Sequence, residues 1–165
     1  MKNKRLFFSY AHPCGDILVR RGSMSEETLD RIRKRLRGGE EVDADPKLFK
    51  VAYALLSMIA EKEGKREIDD EVIHKYYWKE HDEHVMNEAK IKEDIIPEMC
   101  RVFPGRVLEV RGKEAIVETP VGKRSINIEF IPNVHTGECV AVHYSYACER
   151  ISEDVFNKLW GEKNG

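Results

Sequence analysis

The sequence predicts an α+β protein in two parts. An N-terminal α-helical bundle spans residues 1–97, and a small β-barrel with a short C-terminal helix spans residues 98–165. Three observations carry this. Apolar residues recur at helical spacing as far as Glu98, the period changes to two after Cys100, and Gly- or Pro-containing turns then separate short β-branched runs. With 165 residues the chain has room for one ordinary domain or two small ones.

The elements follow in order. "LFFSYAHPCGDILVRRG" reads as a helical entry in which Pro13 is tolerable only at a break or in a first turn. Ser25 is a helix N-cap with Glu26 and Glu27 behind it, Leu29, Ile32 and Leu36 form the apolar stripe, and Gly38-Gly39 ends the segment. Asp45-Pro46 starts a second helix, cap followed by proline, with Leu48, Phe49, Ala52, Leu55, Leu56 and Ile59 facing the core and a stop near Gly64. Asp69 or Asp70 opens a third, through Val72, Ile73, Tyr76 and Tyr77 toward Ala89. These faces pack on one another as a small bundle. Beyond Cys100, "RVLEV", "EAIVET", "RSINIEFI" and "ECVAVHYSYA" alternate as strands do. Turns fall at Arg111-Gly112-Lys113, at Pro120-Val121-Gly122 and from Pro132 to Gly137, which suits a closed or nearly closed barrel. Ser152 caps the last helix, "EDVFNKLW".

Composition narrows the function classes. Charged residues make up 35% and apolar residues 41%, and the net charge is −2. Basic and acidic side chains are nearly balanced on both sides of residue 98, which counts against phosphate-backbone binding and so against nucleic acid. No apolar run reaches the roughly 18 residues of a membrane helix, and the N-terminal stretch is too short and polar for a secretion signal. The expectation is a cytoplasmic protein. Cys14, Cys100, Cys139 and Cys148 include no CxxC pair, and in a reducing compartment they are expected as thiols, Cys139 and Cys148 as core residues. There is no nucleophile triad, phosphate-binding glycine loop or dinucleotide fingerprint.

One segment carries more. Met99-Cys100 is followed after three residues by Pro104-Gly105 and a strand; later come "GECVAVH", the run Val142-His143-Tyr144-Ser145-Tyr146-Ala147, and an acidic helix. In this order and spacing, Met99 to Phe156 resembles the HypC/HupF family of hydrogenase-maturation chaperones. The resemblance implies an OB-like barrel with a C-terminal helix, acting as a carrier or docking factor and not as an enzyme. It implies a HypD-type scaffold partner on which iron acquires cyanide and carbon monoxide, and delivery of that iron to a nickel–iron hydrogenase large-subunit precursor. The family's cysteine falls on Cys100 and its histidine on His143. A thiolate suits low-spin, cyanide-bound iron, and it demands a lowered pKa, to which Arg101 contributes, and some exposure. The imidazole supplies a second ligand or a hydrogen bond to the cyanides. Pro104-Gly105 is expected as a turn that aims Cys100 outward. Two departures stand out. The family's cysteine carries a free amine once its Met is removed, whereas Cys100 is internal, as if a start had been absorbed into a fusion. Ser145 stands where the family usually has glycine.

Each residue also has a plainer reading. Cys100 suits a small buried position at a strand entry, and His143 a local hydrogen bond. His81 and His84, neighbours on one helix face with Asp82 or Glu83 close by, are candidate divalent-metal ligands, although such pairs more often form a solvated face. His12 and Cys14, in "AHPCGD", are a second such candidate, exposed on a tight turn by Pro13 and Gly15, against a helix break with a buried cysteine. Among Tyr76, Tyr77 and Trp78 at least one is expected to be exposed. The rival functions are a metal-binding or sensor protein that uses the helical histidines, and a repurposed OB-like module for protein or nucleic acid.

Overall fold

The computed structural model describes residues 1–93 and 95–164. It is α+β, with helices in the N-terminal half, then a closed five-stranded barrel and a C-terminal helix. The chain divides into two compact units, Met1–Glu80 and His81–Gly165. The change of period near residue 97 marks where the strands are about to begin; the compact unit that holds them starts earlier, at His81.

The first unit contains α1 (Lys4–Ala11), a 3₁₀ turn (His12–Cys14), α2 (Gly15–Arg20), α3 (Glu26–Arg37), a 3₁₀ turn (Pro46–Leu48), α4 (Lys50–Lys62), α5 (Asp70–Lys75) and a π-helical segment (Tyr76–Glu80). Ser25 and Asp69 cap α3 and α5 through their side chains, as expected. Asp45-Pro46 does not open α4. It caps the short 3₁₀ turn, because Phe49, at φ −97° and ψ 69°, interrupts the helix before Lys50. Phe7, Phe8 and Phe49 meet edge to face in the core. Pro13 sits in the 3₁₀ turn, where the proline costs no α-helical hydrogen bond. Gly15 serves packing: a Cβ there would stand 2.4 Å from Leu29 Cδ1, so any larger residue would force the Leu29 side chain to shift.

The aromatic run is arranged differently from the expectation. Tyr76 and Tyr77 are both buried and Trp78 half-buried, its indole N–H donating to Tyr10 Oη at 2.9 Å while its ring stacks on His74. A π turn holds an extra residue, so two consecutive tyrosines can both face the core where α-helical spacing would turn one outward.

The second unit contains α6 (His81–Ala89), the one-turn α7 (Pro97–Cys100), β1 (Val102–Arg111), β2 (Glu114–Thr119), β3 (Gly122–Asn127), β4 (Cys139–His143), β5 (Tyr146–Ile151) and α8 (Glu153–Lys163). The barrel order is β1-β2-β3-β5-β4, all neighbours antiparallel except β3 and β5, which close it through Asn127 opposite Tyr146. Its interior is filled by Val107, Ala115, Val117, Ile126, Val140 and Val142 with their neighbours. Arg106 draws α8 onto β1, pairing with Glu153 through both Nη atoms of its guanidinium and lying 4.5 Å over the Phe156 ring.

Two expected strands end early. "RSINIEFI" leaves the sheet at Asn127, whose side-chain oxygen accepts from Glu129 N–H at 2.8 Å and turns the chain; Ile128, Phe130 and Ile131 are buried all the same, so their alternation reflects core packing. "ECVAVHYSYA" is a hairpin: β4 and β5 are joined by Tyr144-Ser145, with His143 opposite Tyr146 and Tyr144 at φ 52°. The positive φ falls on Tyr144, so the serine at 145 does not need glycine's freedom. Pro104-Gly105 is also no turn. Both lie inside β1, opposite Ala141 and Val140 of β4. Proline's φ suits extended chain, and a Cβ on Gly105 would stand 3.0 Å from Val142 Cγ2 and 3.4 Å from Val117 Cβ, at a tight point of the interior.

That contact sets a test of barrel packing. Gly105→Val is expected to destabilise the protein by about 1–3 kcal/mol in urea unfolding, with Gly105→Ala milder. A Val variant as stable as the parent would show that the wall gives way there.

Candidate functional site

Cys100 ends α7, whose single turn is begun by Pro97 and closed by the Cys100 N–H donating to Ile96 O at 2.9 Å. His143 ends β4, and the β1–β4 register sets it directly opposite Val102, two residues past Cys100. The two chain turns are tied together. Tyr144 N–H donates to Met99 O at 2.9 Å, and Arg124 of β3 donates through Nη2 to Tyr144 O at 2.6 Å and to Met99 Sδ at 3.4 Å. Cys100 is thus held beside His143 by backbone pairing, independently of any ligand.

His81 joins them. It is the first residue of α6 and lies one helical turn from Val85, both on the buried face. The His81 and His143 rings meet edge to face with centroids 4.9 Å apart, and His81 shares a side-chain hydrogen bond with the Cys100 thiol. The ligand atoms of His81, Cys100 and His143 lie within 4.8 Å of one another. All three are buried, Cys100 being 5% exposed and His143 fully enclosed. Burial holds the His81 pKa below its ordinary value, against the Cys100 hydrogen bond, which favours the imidazolium. A neutral imidazole is the form that binds a metal.

A charged clamp stands next to these donors. Asp82 Oδ2 accepts from Arg101 Nε at 2.9 Å and also pairs with Lys163 Nζ. The residue after His81 therefore grips both the residue after Cys100 and the end of α8. Lys163 is nearly enclosed and Asp82 largely so, and burial pulls the Lys163 pKa down while Asp82 opposes the fall.

The structure places the sequence candidates in different surroundings. Cys100 and His143 are brought together, but Cys100 is buried where exposure was expected, because β1 runs past without the turn that would have aimed it outward. His81 and His84 differ in surroundings: His81 is buried with Cys100 and His143, and His84 is half-buried outside that group. In the first unit, His12 is buried, its Nδ1 accepting from Arg33 Nε at 3.3 Å, and Cys14 is half-buried at the end of the 3₁₀ turn. Asp82 and Arg124 were missed as supports, since nothing in the sequence pairs residues so far apart.

The other two barrel thiols are core residues, as expected. Burial and the hydrogen bond from Cys139 Sγ to Glu153 Oε2, 3.4 Å long, push the Cys139 thiol up to about 11. Burial also raises Cys148, against a hydrogen bond from the His143 backbone. No cysteine is in a disulfide.

Fold and site together define a small barrel protein that gathers a thiol and two imidazoles below its surface. The model of the HupF/HypC family matches residues 99–161, slightly longer than the stretch from Met99 to Phe156 that carries the motifs, and less than half of the chain. The matched segment contains Cys100 and His143; His81 and Asp82 precede it. No curated protein matches the chain. Among the described residues no helix is long and apolar enough to cross a membrane.

Two outcomes are expected. Asp82→Ala strands two cations, one of them nearly enclosed, and is expected to cost about 3 kcal/mol in urea unfolding, part of which a Lys163→Met replacement in the same chain restores. A loss within measurement error would remove the clamp from the account. At pH 8, iodoacetamide is expected to leave Cys139 and Cys148 unmodified in the folded protein, as read by peptide mass spectrometry, and to alkylate both after unfolding.

Proposed function

We propose that the barrel unit is a hydrogenase-maturation chaperone of the HupF/HypC type, a carrier and docking factor without catalysis of its own. Its cargo is an iron ion bearing cyanide and carbonyl ligands, held through the Cys100 thiolate and the His143 imidazole. It takes the iron from a HypD-type scaffold and passes it to a nickel–iron hydrogenase large-subunit precursor, in the cytoplasm. The single observation that carries the reading is the meeting of Cys100 and His143, buried side by side, within the segment that matches the family. A thiolate binds such soft iron and also exchanges, and the imidazole steadies it.

The geometry shapes the proposal. The Cys100 nitrogen is a peptide N–H bonded to Ile96 O, so it offers no terminal amine to the iron. The thiol is 5% exposed, so loading and release require α7 to open, which a single helical turn does at low cost. The unit Met1–Glu80 then supplies a docking surface or restricts the choice of partner.

Co-purification from the native host tests this. The wild type is expected to bring down the scaffold protein and iron with cyanide and carbonyl stretches in the infrared, and Cys100→Ala to lose the iron. Wild-type protein with neither partner nor infrared bands would end the carrier reading.

A further inference from the structure

The segment that matches the family holds two of the three gathered donors, and the third comes from elsewhere in the chain. We propose that His81 is a metal ligand, and that with Cys100 and His143 it forms a three-donor site, one sulfur and two nitrogens, for a borderline divalent cation. The proposal deepens the reading of the same site but does not depend on the cargo being iron.

Three features support it. The donors arrive on three different elements, α6, α7 and β4, and so converge from separate directions, as a tetrahedral ion needs. Ligand atoms around such an ion stand about 3.3–3.6 Å apart, given bonds of about 2.0–2.3 Å. The observed spread, within 4.8 Å, closes to that by modest side-chain rotation. Each element is also fixed by contacts of its own. Asp82 ties the start of α6 to Arg101 and Lys163, the Met99 carbonyl ties α7 to Tyr144, and the ladder with β1 fixes β4. A site held in this way costs little ordering when the metal arrives.

The donor set also selects its ion. One thiolate with two imidazoles suits zinc, cobalt, iron(II), nickel or copper and disfavours magnesium and calcium. Asp82, next to His81 in sequence, has Oδ2 engaged by two cations and lies outside the close group of donors. Three ligands leave one tetrahedral position to be filled by a further donor. With only Cys100 and His143 the ion would keep two open positions and a weaker hold, so His81 turns a loose pair into a retaining site.

The test uses the full chain, reduced and without oxygen, with cobalt(II) alone as the probe. Wild type is expected to bind one equivalent with a thiolate-to-metal charge-transfer band in the near ultraviolet and intense d–d bands of four-coordinate cobalt. His81→Gln, which keeps most of the buried volume, is expected to lose the four-coordinate bands and to bind at least about tenfold more weakly, whereas His84→Ala leaves spectrum and affinity unchanged. X-ray absorption of cobalt-loaded wild type needs no variant and is expected to show one sulfur and two imidazoles. A folded His81→Gln protein that matches wild type, an absence of thiolate charge transfer, or a shell with fewer than two imidazoles would each overturn the assignment. The two readings separate cleanly. Formation of the cobalt site without infrared-active iron in the co-purified protein would remove the carrier reading and leave this one standing. Infrared-active iron held equally well by His81→Gln would do the reverse.

Discussion

The pairing of β1 with β4 is the constraint on which the site depends. Val102 lies opposite His143, so a cysteine two residues before the strand and a histidine at the end of its partner come to one edge of the barrel. Slipping the register by one residue would reverse the faces of one strand relative to the other and separate the pair. Gly105 guards that register from within, because the interior closes on its backbone from Val142 on one side and Val117 on the other. The feature expected to work as a turn therefore works as a packing point, and the thiol is positioned by hydrogen bonding and not by exposure.

Around this ladder the charged residues act as ties. Asp82 joins the beginning of α6, the chain beyond Cys100 and the end of α8, and Arg124 joins β3 to both Met99 and Tyr144. Such ties are strong where water is scarce: Lys163 is 5% exposed, and a cation so enclosed is stable only beside its anion. They share a geometric consequence. His81, Cys100 and His143 sit next to residues that are fixed, so the donors have little freedom to drift apart. The cysteines show the complementary effect. Cys139 and Cys148 are raised by burial and keep their protons, so the barrel holds thiols for packing alongside one that adjoins two imidazoles.

Much of this was legible in the sequence. The change of period near residue 97, the caps at Ser25, Asp69 and Ser152, and the turns at Gly112 and Gly122 are local signals, and local physics decides them. Cys100 and His143 were legible only as motif residues. Other features depended on through-space contact. Alternation over "RSINIEFI" arises from core burial as readily as from a strand, and the two look alike until Asn127 is seen to turn the chain. Tyr76 and Tyr77 both face inward because a π turn changes the count of residues per turn, which a period of 3.6 does not anticipate.

The sequence by itself determined the fold class, the order of helices and strands, and the residue types able to hold a soft metal, since propensity, capping and periodicity act over a few neighbouring residues. Tertiary structure alone decided which of them meet. His81 looked like the partner of His84, its neighbour on the helix surface, yet it lies with Cys100 and His143, at sequence separations where no local rule applies. That choice belongs to the β1–β4 register and to the Asp82 clamp. Both are contacts between distant parts of the chain, and they exist only once the barrel has closed.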